Sequence, residues 1–397
     1  MSTFLDLQNG FYNALSQGLG YPPGSPFQIF QPSTPLPHGT SNTTLWAYLN
    51  NIPPFSLTQN YIASGGNQFF SDYSGLLSAL QAPANTFQQD VGNACFDAFQ
   101  TYINNLSTPP APQQLPVIFR NWAMLRYPSV ANKGASDLSA MLLEPISAGQ
   151  MAIMPYQGGR PADWSLNYSD LISQLNVAPK VSFQVNSSTM NSKVTNSWTQ
   201  GSNEGFFGLW GGSHSTTSQS STFAASGVTL IASFAHVATF SPAPGNWYNS
   251  STMGDAYSNQ ASPPWIRPPD TTITWQNTFG SNGNMQRFAV NLIVVSEMSI
   301  TVTSVATFSS ADQQTIHNNS GAGLWPFYCS SSSSGASTTV SFNKEGQMTV
   351  HITSIAGVPI VIGCNVLPVA QYVGHAVEGA RIAASALTAR AAAAAAG

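Results

Sequence analysis

The groups of this 397-residue chain that could perform acid–base or nucleophilic chemistry are its six histidines, its serines and its few carboxylates. The nearest serine and histidine neighbours are Ser213, His214 and Ser215, within a serine-rich stretch. Adjacency along the chain does not place a nucleophile against its base, because the two groups must face each other in space. The histidines show no metal-ligand spacing, and no nucleotide-binding, hydrolase or zinc-protease motif is present. The sequence therefore predicts a non-enzymatic protein without catalytic residues, metal or cofactor.

The proline-rich segment 263–270 carries two side chains that could recognise a ligand. Trp265 offers a planar face and Arg267 a fork of hydrogen-bond donors, which suits a sugar or a peptide. In the alternative interpretation the segment is a rigid connection, in which Trp265 covers a sheet edge and Arg267 pairs with Asp270. We favour the rigid connection and keep Trp265 and Arg267 as the candidate ligand loop.

A long tract with almost no fixed charge follows residue 180. Residues 186–203 and 213–222 are mostly Ser, Thr and Asn, and an apolar island flanked by glycines lies between them. Two uncharged arms around an apolar tip predict a β-hairpin over residues 186–222. The residues predicted to dock this tip on a membrane or on a subunit are Phe206, Phe207, Leu209 and Trp210.

Both arms of this hairpin are long enough for strands of roughly 9–11 residues that would cross a bilayer. Ser, Thr and Asn suit a water-filled lumen, and Trp210 suits the membrane interface. Glu204 is the formal charge near the tip and His214 could tune it below about pH 6.5, so these two are the candidate pH-sensitive residues. In composition and layout the tract resembles the insertion hairpins of β-barrel pore-forming toxins of the aerolysin type. The resemblance implies a non-enzymatic, oligomerising, membrane-active protein and assigns no functional residue.

The apolar residues of the first arm favour a different use of the tip. A strand that faces lipid is apolar at every second position, whereas Met190, Val194 and Trp198 are four residues apart. The alternative function is a self-assembling structural or adhesive protein whose apolar tip docks on a neighbouring subunit.

Composition restricts the partners of the chain. Charged residues make up 7% of it, against roughly 25% in ordinary soluble domains. With a net charge of −4 and eleven scattered Lys and Arg residues, nucleic acid is excluded as a partner. We expect a homo-oligomer, with a lipid bilayer or a cell-surface receptor as partner of the membrane-active form. The amino terminus lacks the pattern of a signal peptide, so we expect a cytoplasmic protein or one released by lysis or by a route without a signal peptide.

Some histidines and cysteines are predicted to have structural roles. His236 and His351 lie in strand-like runs, and we expect both to be hydrogen-bonded within a sheet. Three cysteines are too few for a disulfide framework, and the spacing alone leaves a Cys329–Cys364 disulfide open.

Hydrophobic periodicity predicts an α+β fold. One amphipathic helix is expected over residues 87–106, and about eight strands are expected after residue 180, with the clearest hairpin over 340–352. They would form an antiparallel sandwich or an elongated sheet. The predicted organisation is an extended Gly/Pro-rich arm (1–40), a mainly α-helical domain (41–178), a β-rich domain (179–370) and an Ala-rich helix (371–397).

Overall fold

One antiparallel sheet of eight strands lies at the centre of the protein, and helices pack on both of its faces. The structure is a computed structural model, which describes residues 4–21, 25–53, 68–82, 86–190, 192, 210, 217–261, 263–324, 327 and 335–374. The α+β fold expected from the sequence is confirmed, and of the two expected arrangements the strands form one sheet.

Strand β1 comes from the amino-terminal part of the chain, and the other described strands come after residue 180. Strand β1 near the amino terminus pairs with the last strand, β8, and the longest strand, β5, lies between them and the rest of the sheet. The strands are β1 (Phe27–Pro35), β2 (Val181–Asn186), β3 (Val228–Phe240), β4 (Arg287–Ala289), β5 (Leu292–Thr307), β6 (Ala336–Phe342), β7 (Gln347–Ser354) and β8 (Ile360–Pro368).

Most of the described helices precede β2, four others lie between successive strands after β2, and the last one follows β8. The helices are α1 (Phe4–Gly18), α2 (Asn42–Asn50), α3 (Phe69–Ser78), α4 (Phe87–Val91), α5 (Asn93–Asn104), α6 (Leu115–Arg126), α7 (Ala131–Met141), α8 (Pro145–Ile153), α9 (Tyr168–Leu175), α10 (Thr217–Ala225), α11 (Ser250–Ser258), α12 (Trp275–Phe279), α13 (Ser310–Asn319) and α14 (Val369–Tyr372).

Strand β5 changes partner halfway along its length. Its first half pairs with β8, for example Val295 with Ile360, and its second half pairs with β7 from Ser299 onward. Glu297 lies at the change of partner and has a φ of 49°, in the left-handed region that non-glycine residues rarely adopt. The strand therefore joins two half-sheets, one of β1 and β8 and one of β7 and β6, while β3 pairs along its whole length.

Each face of the sheet has its own hydrophobic core. Helices α1, α10 and α13 contribute to the core on one face, together with apolar residues of β3, β5 and β7. Helices α2, α3, α8, α9 and α11 contribute to the core on the other face, where Leu45 and Leu171 share a cluster with Val294 and Val361. Helices before residue 178 and strands after it are therefore held together by one apolar cluster.

A third apolar cluster lies among helices α4 to α8. The single helix expected over residues 87–106 is two helices, because Gly92 adopts a φ of 79° between α4 and α5. Glycine reaches this left-handed conformation without the steric cost that other residues meet. The break turns α5 away from α4 while Phe87 and Phe99 stay in the same cluster.

The prediction of an extended arm over residues 1–40 is wrong for the described part of that segment. Residues 4–18 form α1, and Phe27 pairs with Asn365 in the central sheet. The glycines and prolines mark the ends of these elements, as Gly20 does with a φ of 90° after α1. Of the Ala-rich carboxy-terminal helix, residues 375–397 lie outside the described residues.

Candidate functional site

One face of five neighbouring strands forms a continuous surface in the described part of the protein. These strands lie side by side in the order β2, β3, β5, β7 and β6 and make up one half of the sheet. Burial alternates along each strand, so that every second side chain points away from the core. Most inward residues are apolar, such as Leu230 and Val302, and most outward residues carry a hydroxyl or an amide. The exposed exceptions include Ile231, Val305 and Glu297.

Antiparallel register aligns these outward residues in three rows of five across the strands. We name these fifteen residues the hydroxyl face. The rows are Asn186, Thr229, Thr303, Thr349 and Ser341; then Gln184, Ile231, Thr301, His351 and Thr339; then Ser182, Ser233, Ser299, Thr353 and Ser337.

The hydroxyl face carries no Asp, Glu, Lys or Arg. Strands are spaced about 4.8 Å apart and alternate residues about 6.7 Å apart, so the face measures roughly 20 Å by 13 Å. At its centre Thr301 Oγ1 lies 3.0 Å from His351 Nδ1. Each serine or threonine hydroxyl can donate one hydrogen bond and accept others. The face is therefore suited to an uncharged partner that also carries donors and acceptors.

The two outer strands of this half-sheet, β2 and β6, form its two edges within the described residues. Within the described ranges, β2 pairs with β3 and β6 pairs with β7, and no strand pairs with the other edge of either. Neither strand contains a charged residue or a proline. Natural proteins commonly place Lys or Pro on such edges to prevent pairing with another chain. Both edges therefore remain suitable for strand addition.

The predicted apolar tip is represented in the structure by Trp210. Its side chain is 1% exposed, it forms an isolated antiparallel bridge with Leu324, and it belongs to the core beneath the hydroxyl face. Trp210 is therefore packed within the folded subunit, where burial removes its apolar area from water, and its docking on a membrane or on a neighbouring subunit stays a prediction. Phe206, Phe207 and Leu209 lie outside the described residues.

The second arm of the predicted hairpin is not a strand where the structure describes it. Residues 217–225 form α10, whose Phe223 and Ala224 are buried against the sheet. Packing of these two side chains favours the helix even though Ser and Thr are weak helix formers. The first arm is not a strand where it is described either, because β2 ends at Asn186, the first residue of that arm, and residues 187–189 form a turn. The candidate pH-sensitive residues Glu204 and His214 lie outside the described residues.

The candidate ligand loop does not present a ligand surface. Trp265 is 4% exposed, and its Nε1 donates to the carbonyl oxygen of Asn259 over 2.6 Å. Arg267 is exposed, and its carbonyl oxygen accepts a hydrogen bond of 3.1 Å from the backbone N–H of Asp270. The ligand-loop prediction is wrong for Trp265, because its indole face is packed in the core. Of the rigid connection, the structure shows a turn from Arg267 to Asp270 that is closed by a hydrogen bond between backbone atoms, not by the two side chains.

The histidines that we expected in the sheet are hydrogen-bonded there. His236 Nδ1 lies 2.8 Å from the carbonyl oxygen of Ala178, and His351 contacts Thr301 as described above. Cys364 is buried in β8, and Cys329 lies outside the described residues, so their pairing stays a prediction. Within the described ranges no three His, Cys, Asp or Glu residues are grouped to hold a metal ion.

The acidic residue with the most perturbed ionisation is Asp72 in α3. Burial raises the pKa of Asp72 to about 6, although hydrogen bonds from Asn284 and from the backbone of Gln68 lower it. The neighbouring Tyr73 hydroxyl is buried and donates to the carbonyl oxygen of Asn249 over 3.3 Å. Asp72 therefore lies in a partly buried setting beside the side-chain amide of Asn284, and burial makes the carboxylate the costly form.

Replacement of Asp72 by Asn is expected to stabilise the protein at neutral pH. A folded-state pKa above the unfolded value means that Asp72 adds stability below about pH 4 and loses it as pH rises through about 6. A shift of this size corresponds to at most about 3 kcal/mol, and partial exposure reduces it to about 1 kcal/mol. Urea unfolding of wild type and Asp72→Asn should differ at pH 7.5 and converge at pH 4. Asp270→Asn, at an exposed position, serves as the control, and its stability relative to wild type should be the same at pH 7.5 and at pH 4. If all three proteins depended on pH in the same way, the raised pKa of Asp72 would be contradicted.

Sequence reasoning missed the hydroxyl face because its rows are assembled from five strands, of which only β6 and β7 follow each other as a hairpin. A signal was present in two of the five strands, namely Ser or Thr at every alternate position of residues 299–303 and 337–341. No described helix combines the length and the apolar composition needed to cross a lipid bilayer. The chain matches no protein-family model, no curated protein and no solved structure.

Proposed function

We propose that the chain is a non-enzymatic protein that assembles with copies of itself through the hydroxyl face and the adjoining sheet edges. The observation that carries this proposal is the coincidence of fifteen aligned residues without a fixed charge and two uncharged edge strands on the same half-sheet. Surfaces with few charges repel one another weakly, so contact between copies meets little electrostatic resistance.

Strand addition gives a concrete form to this assembly. Two copies related by a two-fold axis can pair their β6 strands antiparallel, with Thr339 opposite Thr339 and Ser337 opposite Ser341 of the second copy. The three rows then continue from one subunit into the next, and hydroxyls at the junction can donate to and accept from each other. The same reasoning applies to β2, around Gln184.

The proposal is tested by placing one positive charge at the middle of each edge. Gln184→Lys and Thr339→Lys are expected to weaken self-association about tenfold or more, because a buried cation at the new contact costs at least about 1.4 kcal/mol. Gln174→Lys in α9 and Thr101→Lys in α5 make the same chemical changes at exposed helical positions outside the hydroxyl face. Sedimentation velocity over a wide range of protein concentrations measures the assembly.

A wild type that stays monomeric at every concentration would overturn the proposal. It would also be contradicted if the sheet variants and the helix variants assembled equally well. If Gln184→Lys alone weakens assembly, the contact is formed by β2; if Thr339→Lys alone does so, it is formed by β6. Each of these two results supports the proposal and identifies the edge.

A second candidate function is membrane activity of the assembled protein. It is favoured because the same strands have one polar and one apolar side. Opposite the hydroxyl face, β3, β5 and β7 are apolar, and α1, α10 and α13 cover this surface. Removal of α10 together with Trp210 would uncover part of the apolar face of these strands, while α1 and α13 still cover the rest, and an apolar surface of this kind suits an interface with lipid. Dye release from liposomes, measured on the same samples, tests this function; release by wild type and its loss in the variants that do not assemble would support it.

A further inference from the structure

A cleft of about 580 Å³ lies among α3, α4, α5, α7 and α8, beside the third apolar cluster. Its size falls within the roughly 300–1,000 Å³ that is usual for sites that bind small molecules. The described lining residues are Ser74, Leu77, Ser78, Phe87, Gln88, Gln89, Asn93, Phe96, Met141, Gln150, Ile153, Met154 and Gln157. Neither the assembly proposed above nor the packing of the core requires this opening.

The floor of the cleft is apolar and preformed. Leu77, Phe87 and Ile153 are buried, and Met141 and Met154 lie beside them with exposed fractions of 7% and 6%. Methionine side chains adapt their shape to irregular apolar ligands. The floor can therefore accept an alkyl chain or a ring without a change of the backbone.

The rim of the cleft is made of amides and hydroxyls that are held in place. Gln150 Nε2 donates to the carbonyl oxygens of Leu77 and Leu80 over 3.2 and 3.1 Å, which orients the side-chain amide. Gln88 Nε2 donates to Asn93 Oδ1 over 3.1 Å across the break at Gly92. The break between α4 and α5 thus places two amides on the same rim.

The described lining contains no Asp, Glu, Lys, Arg or His. A ligand with a fixed charge would lose hydration on entering the cleft without gaining an opposite charge. An uncharged head group with hydroxyls or amides would instead exchange water for the donors and acceptors of the rim, while its apolar part is buried on the floor.

We infer that this cleft binds an uncharged amphiphile, with an alkyl chain or ring on the apolar floor and a hydroxyl- or amide-bearing head at the rim. The site is independent of self-association, because none of its described lining residues belongs to the hydroxyl face. The amphiphile is recognised by the combination of a neutral rim and an apolar floor rather than by a charge.

Calorimetric titration of the full chain with n-octyl β-D-glucoside, below its micelle concentration, tests the inference. Ser78→Trp places an indole in the mouth of the cleft and is expected to weaken binding at least tenfold. Ser139→Trp is the matched control, since both serines are exposed on a helix and donate to a carbonyl oxygen of the preceding turn, Ser78 to Gly75 and Ser139 to Ala135. Octyl sulfate and octyltrimethylammonium serve as charged ligands with the same chain.

The expected result is saturable binding of the glucoside to wild type and Ser139→Trp, and binding at least tenfold weaker for Ser78→Trp and for both charged ligands. No binding to wild type would overturn the inference. Equal binding to both Trp variants would place the amphiphile elsewhere, and equal affinity for a charged ligand would contradict the role of the neutral rim. Sedimentation of the same variants keeps this outcome separate from the outcome for self-association.

Discussion

Replacement of Trp210 by Ala is expected to lower the free energy of unfolding by about 3–5 kcal/mol, as for other large buried aromatic residues. The Trp210 indole is 1% exposed. The backbone of Trp210 forms a bridge with the backbone of Leu324, whose side chain is fully buried. Truncation would leave a large cavity between the sheet and the helices of this core. Urea unfolding monitored by circular dichroism measures the loss.

A double-mutant cycle with Leu324→Ala separates burial from unspecific damage. Residues in contact show interaction energies of about 0.5–3 kcal/mol, whereas distant residues are additive. We therefore expect the Trp210→Ala and Leu324→Ala costs to be non-additive. A loss within about 0.5 kcal/mol for Trp210→Ala, the usual effect of a surface substitution, would show that this residue is exposed in solution. The result matters for function, since a tip held by Trp210 must leave the core before it can contact lipid.

Replacement of Gly363 by Ala is expected to cost about 3 kcal/mol, at the upper end for overpacking of a core. A Cβ at this position of β8 would meet the backbone carbonyl oxygen of Gln28 and would lie 2.8 Å from Cε2 of Phe27. The carbonyl belongs to β1, which pairs with β8 through Ile29 and Gly363. Because a backbone atom cannot rotate away as a side chain can, β1 itself would have to move.

Gly254→Ala provides the control for Gly363→Ala. Gly254 lies in α11, no atom lies within 4 Å of a Cβ built there, and alanine favours a helix by up to about 1 kcal/mol. The control should therefore be neutral or stabilising under the same urea unfolding conditions. Faster proteolysis of the amino-terminal segment in Gly363→Ala alone would confirm that β1 is the displaced element. Similar midpoints for both variants would contradict the close packing of β1 on β8.

The outcome of the predictions depended on how local each signal was. The hairpin of β6 and β7 was predicted from alternation and a turn, and the structure pairs Val340 with Val350 and Phe342 with Met348. The amino-terminal segment was misread because β1 is completed by β8 at the other end of the chain. The helix over 87–106 was interrupted by the single left-handed residue Gly92, a conformation that hydrophobic spacing does not reveal.

By itself, the sequence determined the α+β class, the scarcity of charge and the alternation that gives each strand one apolar and one polar side. These properties follow from periodicity and composition, which act within a few residues. Only the tertiary structure decided that outward residues from five strands align in three rows and that Trp210 is buried. It also decided that residues 217–225 are a helix. The register between distant strands and the burial of side chains against distant residues both depend on long-range packing. No local sequence pattern specifies that packing.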